Sequence, residues 1–434
     1  MENNMRNKVI TVVIVGRDNS NTLGLVRQFG PYVDNLHVVL WDRFIRPLSS
    51  VVASKFCKSF HWEPTLKGAI DYIEANYKDK NSNVFIVPSG DLPAEAIDQR
   101  HDELNPFFFI PGTKEQGLLT RVLDKNRMCK LASELGFIVP GSKEIRGKST
   151  EIDGVNYPCL IKPTKHGIYT KTSFKTRKCK SKDELLTFLA QLDENCFYQV
   201  QEYVEKESEV LTYGFRLENG MTKTFGILHR LRGGENTDTT FGYISPDEPA
   251  YIDHKLEEKF LEEIGFTGLF SFEYGVNNSK PYFFEVNLRN DATAYWFYLA
   301  GVDVPAIWVY ESLGLTTENI PHTISEKKFF IDEIMDRWYV KKGLISRDEH
   351  QSALLQSSLL KYKCKEDPAP YYIKNLADKL SACYHIVRNT QKRLICLFNR
   401  YTHSELPGGG KNRQFKSLSI FYASEICCLE RRAA

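Results

Sequence analysis

Glu273 and Glu285 lie in a stretch whose residue types can do chemistry. It reads Gly268-Leu-Phe-Ser-Phe-Glu-Tyr-Gly-Val276, then a polar Asn277-Asn-Ser-Lys280, then Pro281-Tyr-Phe-Phe-Glu-Val-Asn-Leu-Arg289. Two β-prone runs around a polar turn are a hairpin signature. Side chains alternate faces along a strand. Phe270, Phe272 and Tyr274 therefore form an apolar side with Glu273 opposite; Glu285, Asn287 and Arg289 share one face, and Phe284, Val286 and Leu288 the other. A loop of about five residues centred on Ser279 sets Glu273 across from Glu285. Directly opposed like charges destabilise a sheet, and a divalent cation removes that penalty. Two carboxylates and an amide oxygen are hard ligands that suit Mg²⁺, whose other positions go to water and nucleotide phosphates. Arg289, on the same face, can hold a phosphoryl group or a developing oxyanion. On these residues alone the plainer reading, the solvent-facing polar side of a hairpin, stays open.

Other elements must position such a hairpin. Val9–Val15 is a β-branched run ending at Gly16-Arg17-Asp18-Asn19; Leu36–Leu40 and Val84–Val87 follow, the last ending at Pro88-Ser89-Gly90-Asp91. Short apolar strands alternating with helical stretches predict βαβ units and a parallel sheet. Ligands bind at the carboxyl ends of such strands, which makes Gly16, Asp18, Asn19 and Asp91 candidate substrate contacts, or else turn and cap residues. The pattern predicts a helix over Asp124–Gly136, with Leu123, Met128, Leu131 and Leu135 on one side. Strands are expected at Tyr157–Lys162 and Phe197–Val204, and a helix at Ser181–Gln191 opened by Ser181 with Glu184 three residues on. Antiparallel strands follow at Val210–Phe215, Thr222–Leu231, Gly268–Val276 and Tyr282–Leu288. Ala294–Tyr310 reads as a buried helix and turn, Glu326–Lys379 as helical, and the stretch from Arg388 as a weakly determined tail.

Composition narrows the function classes. The 434 residues predict about three domains. With 57 basic and 55 acidic residues the net charge is +2, which argues against a polybasic nucleic-acid binder. The ten cysteines include no C-x-x-C and no zinc spacing, which fits free thiols in a reducing compartment. The first apolar run is too short to span a membrane and lacks a cleavage site, so the expected location is cytoplasmic, with no membrane partner.

Glu273 followed by Glu285-Val-Asn287-Leu-Arg289 resembles the metal-binding signature of the ATP-grasp superfamily of carboxylate–amine ligases. Tyr157-Pro-Cys-Leu-Ile-Lys162 is similar to its strand ending in a phosphate-binding lysine. Leu123-Asp124-Lys125, ahead of Leu135-Gly136-Phe-Ile-Val-Pro140, is similar to its earlier nucleotide lysine and helix. Gln201-Glu202-Tyr203-Val204 resembles the hinge whose backbone reads adenine, with Glu209 chosen as the ribose ligand and Glu205 and Glu207 as alternatives. His229-Arg230-Leu231-Arg232-Gly233-Gly234-Glu235-Asn236-Thr237 resembles the arginine-bearing strand and glycine loop facing the phosphates. Val15–Gly24, Pro88–Asp91 and His101–Pro106, with Phe330–Ile334 and Gly343–Ser346 downstream, are similar to the D-aspartate ligase-like group, so that the resemblance covers about residues 8–375.

The resemblance implies an α/β N-terminal parallel-sheet domain over residues 1–115. A two-subdomain α+β ATP-grasp fold follows, its small subdomain at 116–204 and its large one at 205–320. A helical C-terminal part spans 321–387, and the tail 388–434 is unassigned. It implies ATP, with Mg²⁺ (Mn²⁺ possible) held by Glu273, Glu285 and Asn287. Lys125, Lys162, Gln201, Glu202, Tyr203, Val204 and Glu209 would bind nucleotide, and Arg289 and Arg232 would be catalytic. The implied activity is ligation of small-molecule carboxylate and amine substrates through an acyl phosphate, a homodimer being possible. The alternative is a catalytically weak or inactive ATP-binding regulatory module of the same fold. One departure stands out: the loop Pro163–Thr172, normally glycine-rich, carries a single glycine, with Lys165, Lys171 and threonine hydroxyls in its place.

Overall fold

The computed structural model describes residues 9–42, 48–78, 82–164, 174–233 and 239–381. Most of the glycine-poor loop, Gly234–Thr237 and the tail lie outside these residues.

The chain builds three sheets in succession. β1 (Val9–Gly16), β2 (Asn35–Trp41), β3 (Ser59–Glu63) and β4 (Ser82–Pro88) form a parallel sheet in the order β3-β2-β1-β4. β1 is apolar from Val12 to Val15 because both its faces are covered there: Val12 and Ile14 pack into one core cluster, Val13 and Val15 into another. β3 escaped the sequence reading. It is an edge strand, with Phe60 exposed and no continuous apolar run to mark it.

A small antiparallel sheet follows: β5 (Ser142–Arg146), β6 (Cys159–Pro163), β7 (Arg177–Cys179) and β8 (Phe197–Glu202), in the order β5-β8-β6-β7. The helix Lys125–Leu135 stands before it, capped by Asp124, which accepts from the Asn126 and Arg127 N–H groups, and ended by Gly136 at φ 108°. The helix Lys182–Leu189 packs on the sheet through Leu185, Phe188 and Leu189. Its cap Ser181 accepts from Glu184 N–H, but Glu184 reaches back to Lys180 N–H rather than to that of Ser181.

The third sheet has seven strands: β9 (Ser208–Arg216), β10 (Thr222–Gly233), β11 (Thr239–Ser245), β12 (Gly268–Asn277), β13 (Lys280–Asn287), β14 (Lys328–Ile331) and β15 (Leu359–Leu360), ordered β13-β12-β9-β10-β11-β14-β15. The last two strands interrupt the expected helical part. Lys328-Phe-Phe-Ile331 is a β-prone run that finds an open edge on β11, with Phe241 opposite Ile331. Helices Glu333–Lys342 and Arg347–Gln356 lie between β14 and β15.

Leu211, Tyr213 and Phe215 on one face of β9 share a core with Val12 and Ile14 of the parallel sheet and with Trp296 and Phe330. The other face of the third sheet packs Phe270, Phe272 and Tyr274 against Met128, Phe137 and Phe260. A buried ion pair ties the helix Ser20–Phe29 to the segment after β15. Arg27 Nε donates to Asp367 Oδ2 at 2.9 Å, and its Nη atoms reach the carbonyls of Lys361, Tyr362 and Asp367.

Candidate functional site

The hairpin β12–β13 pairs Glu273 with Glu285, as the sequence predicts, but by a different route. The turn has two residues, not about five: Asn278 and Ser279 sit at φ 50° and 56°, with Asn277 paired to Lys280. Both angles are left-handed, as a type I′ hairpin turn requires. That turn alone would set Glu273 opposite Phe284. A β-bulge adds one residue on β13 between the Tyr274–Phe283 and Glu273–Glu285 pairs, and so restores the register. The bulge also corrects the face assignment. Phe283, not Phe284, joins Val286 and Leu288 in the core, and Phe284 lines a small cleft with Glu209, Arg230 and Glu273.

The two carboxylates meet a ring of cations. Lys125 Nζ lies 3.2 Å from Glu285 Oε2. Burial, the largest single influence, opposes its charge, but Glu285 and then Asp91 together hold the lysine pKa above its ordinary value. Lys162 is half-buried beside Lys125 with no carboxylate of the described residues in contact, and burial followed by that like charge brings its pKa down to about 8. Its Nζ donates to Gln201 Oε1 at 3.1 Å. Arg230 lies 3.6 Å from Glu273, pairs with Glu209 and donates to Thr239 Oγ1 at 2.7 Å. Burial and then the Glu285 charge push the Glu273 pKa up to about 8 against the pull of Arg230. Arg289 donates to Asp91 at 2.7 Å, to Asn287 Oδ1 at 2.9 Å and to the Asn290 carbonyl at 3.1 Å. Asp91 opens the helix Asp91–Asp98 directly after β4. A strand end of the parallel sheet therefore reaches the hairpin, at one of the predicted substrate positions.

Lys125 is aimed by its backbone: its N–H donates to Thr164 O at 3.0 Å, and its carbonyl accepts from Gln199 Nε2 at 3.3 Å. In Gln201–Val204 the N–H groups of Glu202 and Tyr203 donate to the carbonyls of Gly141 and Pro158. The side-chain Nε2 of Gln201 is buried with no partner. Glu202 is exposed, while Tyr203 and Val204 are half-buried. Asn287 turns its amide nitrogen to Glu273 at 3.2 Å and its oxygen to Arg289, so as a metal ligand its amide would have to rotate.

Five predicted positions stand apart from this cluster. Arg232 is held by Asp336 through Nε at 3.0 Å and Nη2 at 2.7 Å, and the same carboxylate accepts from His350 Nδ1 at 2.7 Å. A register shift in β10 between Arg230 and Arg232 separates the two arginines, leaving Arg230 beside the carboxylates. Asn19 caps the helix Ser20–Phe29, and Asp18 accepts from Ser50 Oγ and Val51 N–H, so both do structural work. A Cβ on Gly16 would fall 1.8 Å from Ser89 Oγ, so this glycine permits a close approach of strands. Glu207 accepts from Asn278 N–H at the hairpin tip, which leaves Glu209 as the carboxylate paired to Arg230.

The sequence reading passed over Arg230, Phe284 and Asp291 as individual site residues. Asp291 accepts from Ser271 Oγ at 3.0 Å and Asn287 Nδ2 at 3.3 Å, and so braces the amide. Arg230 could have been found from the β9–β10 register, where it stands opposite Glu209. Nothing in strand alternation signals a bulge.

No family model matches the chain. The chain is 22% identical over 327 residues to D-aspartate ligase of Enterococcus faecium (strain Aus0004), covering 70% of this chain and 77% of that one. Its fold is similar to N5-carboxyaminoimidazole synthetase from Staphylococcus aureus complexed with ADP, with a TM-score of 0.55, 15% identity, and 79% and 86% of the two chains covered. It is also similar to L-amino acid ligase from Bacillus licheniformis, with a TM-score of 0.55, 12% identity, and 74% and 79% covered. The resemblance seen in the motifs is thus borne out, and the fold shared with these solved structures is the ATP-grasp fold. Among the described residues no helix is long and apolar enough to cross a membrane.

Proposed function

We propose that this protein is an ATP-dependent ligase that activates a carboxylate, of an amino acid in the first instance, as an acyl phosphate and joins it to an amine. The observation that carries this reading is the pair Glu273–Glu285, opposed on a half-buried hairpin face and ringed by Lys125, Lys162, Arg230 and Arg289. Two like charges and several cations in one cleft suit a polyphosphate carrying a divalent ion.

The donor set fits that ion. Among the described residues no three His, Cys, Asp or Glu side chains converge on one point. Glu273 and Glu285, with the Asn287 oxygen after rotation, make a partial oxygen shell of the kind Mg²⁺ completes with water and phosphate oxygens. When bound, Mg²⁺ supplies positive charge between the carboxylates and the phosphates. The buried, unpartnered Gln201 Nε2 is an orphaned donor on the expected adenine side. Gln201–Val204 then takes the base, Phe284 offers an apolar ring, and Glu209 takes the ribose.

The chain's own residues account for most of the work. Lys125 and Lys162 hold phosphate oxygens, and Arg230 adds charge opposite them. The substrate carboxylate oxygen attacks the γ-phosphorus and ADP leaves. The amine nitrogen then attacks the acyl carbon, and phosphate leaves with the former carboxylate oxygen. Arg289, fixed by Asp91 and Asn287, is placed for the oxyanion of that tetrahedral intermediate. Arg232, locked to Asp336, is assigned a structural part instead. Free cysteines at the described positions accord with a cytoplasmic setting.

The test is release of ADP across a panel of amino acids and amines. The wild type is expected to release ADP only when both partners are present. Arg289→Ala is expected to lose about 10²–10³ in rate, and Glu285→Ala to lose turnover, both with an unchanged circular dichroism spectrum. Unchanged turnover in both variants removes the proposed roles. ATP binding without ADP release on any pair would favour the non-catalytic alternative.

A further inference from the structure

A second cavity, of about 220 Å³, lies at the far end of the third sheet. It opens between the segment Phe109–Ile110, which runs along β4, and the β9–β10 turn, with the helix Val304–Ser312 as its third wall. Arg216 marks its place in β9, five residues beyond Leu211, the β9 partner of Glu273. At about 3.3 Å per residue the cavity is roughly 17 Å from the carboxylate pair. It therefore belongs to a different region from the nucleotide cleft.

Three rings form its apolar wall. Phe85 stacks on Phe109 at 4.5 Å between centroids and meets Trp308 edge-on at 5.5 Å. Two charged side chains, Arg216 and Glu311, line the same space. Glu311 accepts from Lys223 Nζ at 2.7 Å through Oε1, while its Oε2 is buried with no partner. A buried acceptor left unsatisfied is unfavourable, and a charged one more so. Among the described residues the hydrogen bonds of Arg216 run through Nη1, to Gly220 O at 2.8 Å and Thr222 Oγ1 at 2.9 Å. These bonds fix the guanidinium plane and leave Nε and Nη2 for an anion.

We propose that this cavity is a second binding site, separate from the nucleotide cleft, for an α-amino acid with an apolar or aromatic side chain. The ammonium group would meet Glu311 Oε2, the carboxylate Arg216, and the side chain the Phe85–Phe109–Trp308 wall. The size agrees, since about 220 Å³ is below the ~300 Å³ at which drug-sized ligand pockets begin. A nucleotide is too large for it, and an apolar molecule would leave the Arg216 guanidinium without a counter-charge and Glu311 Oε2 without a donor. This goes beyond the ligase reading and does not depend on it.

The test is calorimetric titration of the full-length protein, without nucleotide, with L-phenylalanine and L-leucine. Saturable binding at one site is expected. Glu311→Gln and Arg216→Gln should each weaken it roughly tenfold or more, and phenethylamine and 3-phenylpropanoate should fall short by a similar factor. Glu285→Ala, in the distant hairpin, should bind as the wild type does. Arg216 is half-buried at a strand end, so its variant keeps the test decisive should Glu311→Gln fail to fold. The proposal is overturned by an absence of saturable heat at millimolar amino acid. It is equally overturned if binding is lost in Glu285→Ala but kept in both cavity variants, or if phenethylamine binds as well as L-phenylalanine.

Discussion

Lys162 and Lys125 show how one cleft sets two lysines apart. Lys125 touches Glu285 and stays charged; Lys162 has burial and a like charge against it, so its pKa of about 8 lies below its ordinary 10.5. The sign for binding follows. The Lys162 ammonium is present below about pH 8 and lost above it, and a phosphate anion favours its return. ADP affinity is therefore expected to fall as pH rises from 7 to 9, with uptake of about half a proton per ADP at the lysine's own pKa. Titration calorimetry in two buffers of different ionisation enthalpy measures that uptake, and Lys162→Met should abolish it. Stability has the opposite trend. Between about 8 and 10.5 the unfolded chain binds the proton that the folded protein lacks, so this group's contribution to stability rises with pH through that window. Lysine at a strand end was legible from sequence. The difference between the two lysines was not, because it depends on which of them a glutamate 160 residues away along the chain can reach.

At the scale of elements, the β12–β13 hairpin carries the site through its turn and its bulge. Ser279 at φ 56° occupies the turn position where Asn-Gly is favoured, and only glycine is free of steric cost there. Ser279→Gly is expected to stabilise the protein by about 0.5–1 kcal/mol, read as a higher denaturant midpoint with unchanged slope. A lower midpoint would mean that the serine does work at the tip that its backbone angle hides. The apolar and polar alternation of the hairpin was plain in the sequence, and so was the cap at Ser181. The bulge was not, because an extra residue leaves both strands equally β-prone. The inferred Glu273–Glu285 pairing came out right only because a shorter turn and a bulge offset each other.

Over the whole molecule, the parallel sheet, the hairpin and the segment after β15 act as one body through a few buried polar ties. Arg289 with Asp91 joins the hairpin to the end of β4, and Asn290 with Asn21 joins it to the first helix at 2.6 Å. Arg27 with Asp367 joins that helix to the C-terminal segment, where Ser54 Oγ and Lys55 N–H also donate to the aspartate. Both charges are almost wholly buried, at 2% and 1% exposure, so removing one leaves the other stranded. Asp367→Ala is expected to cost about 3–5 kcal/mol. Hydrogen exchange should show the loss of protection centred on the helix Ser20–Phe29 and on residues 359–367. A uniform loss would mean that the tie has no local role.

The sequence by itself determined the local facts: which of the longer apolar runs are strands, where the helices after Asp124 and Ser181 lie, and that an opposed pair of carboxylates, an amide and an arginine share one hairpin face. Those follow from alternation, capping and turn chemistry, which act over a few residues. Tertiary structure decided which arginine faces the carboxylates, since Asp336 captures Arg232 while Glu209 and Glu273 hold Arg230. It also decided which aspartate from the parallel sheet meets Arg289, and that a charged cavity opens at the opposite end of the same strands. Coulomb energy and burial depend on distance in space, and the fold sets that distance for residues far apart in the chain.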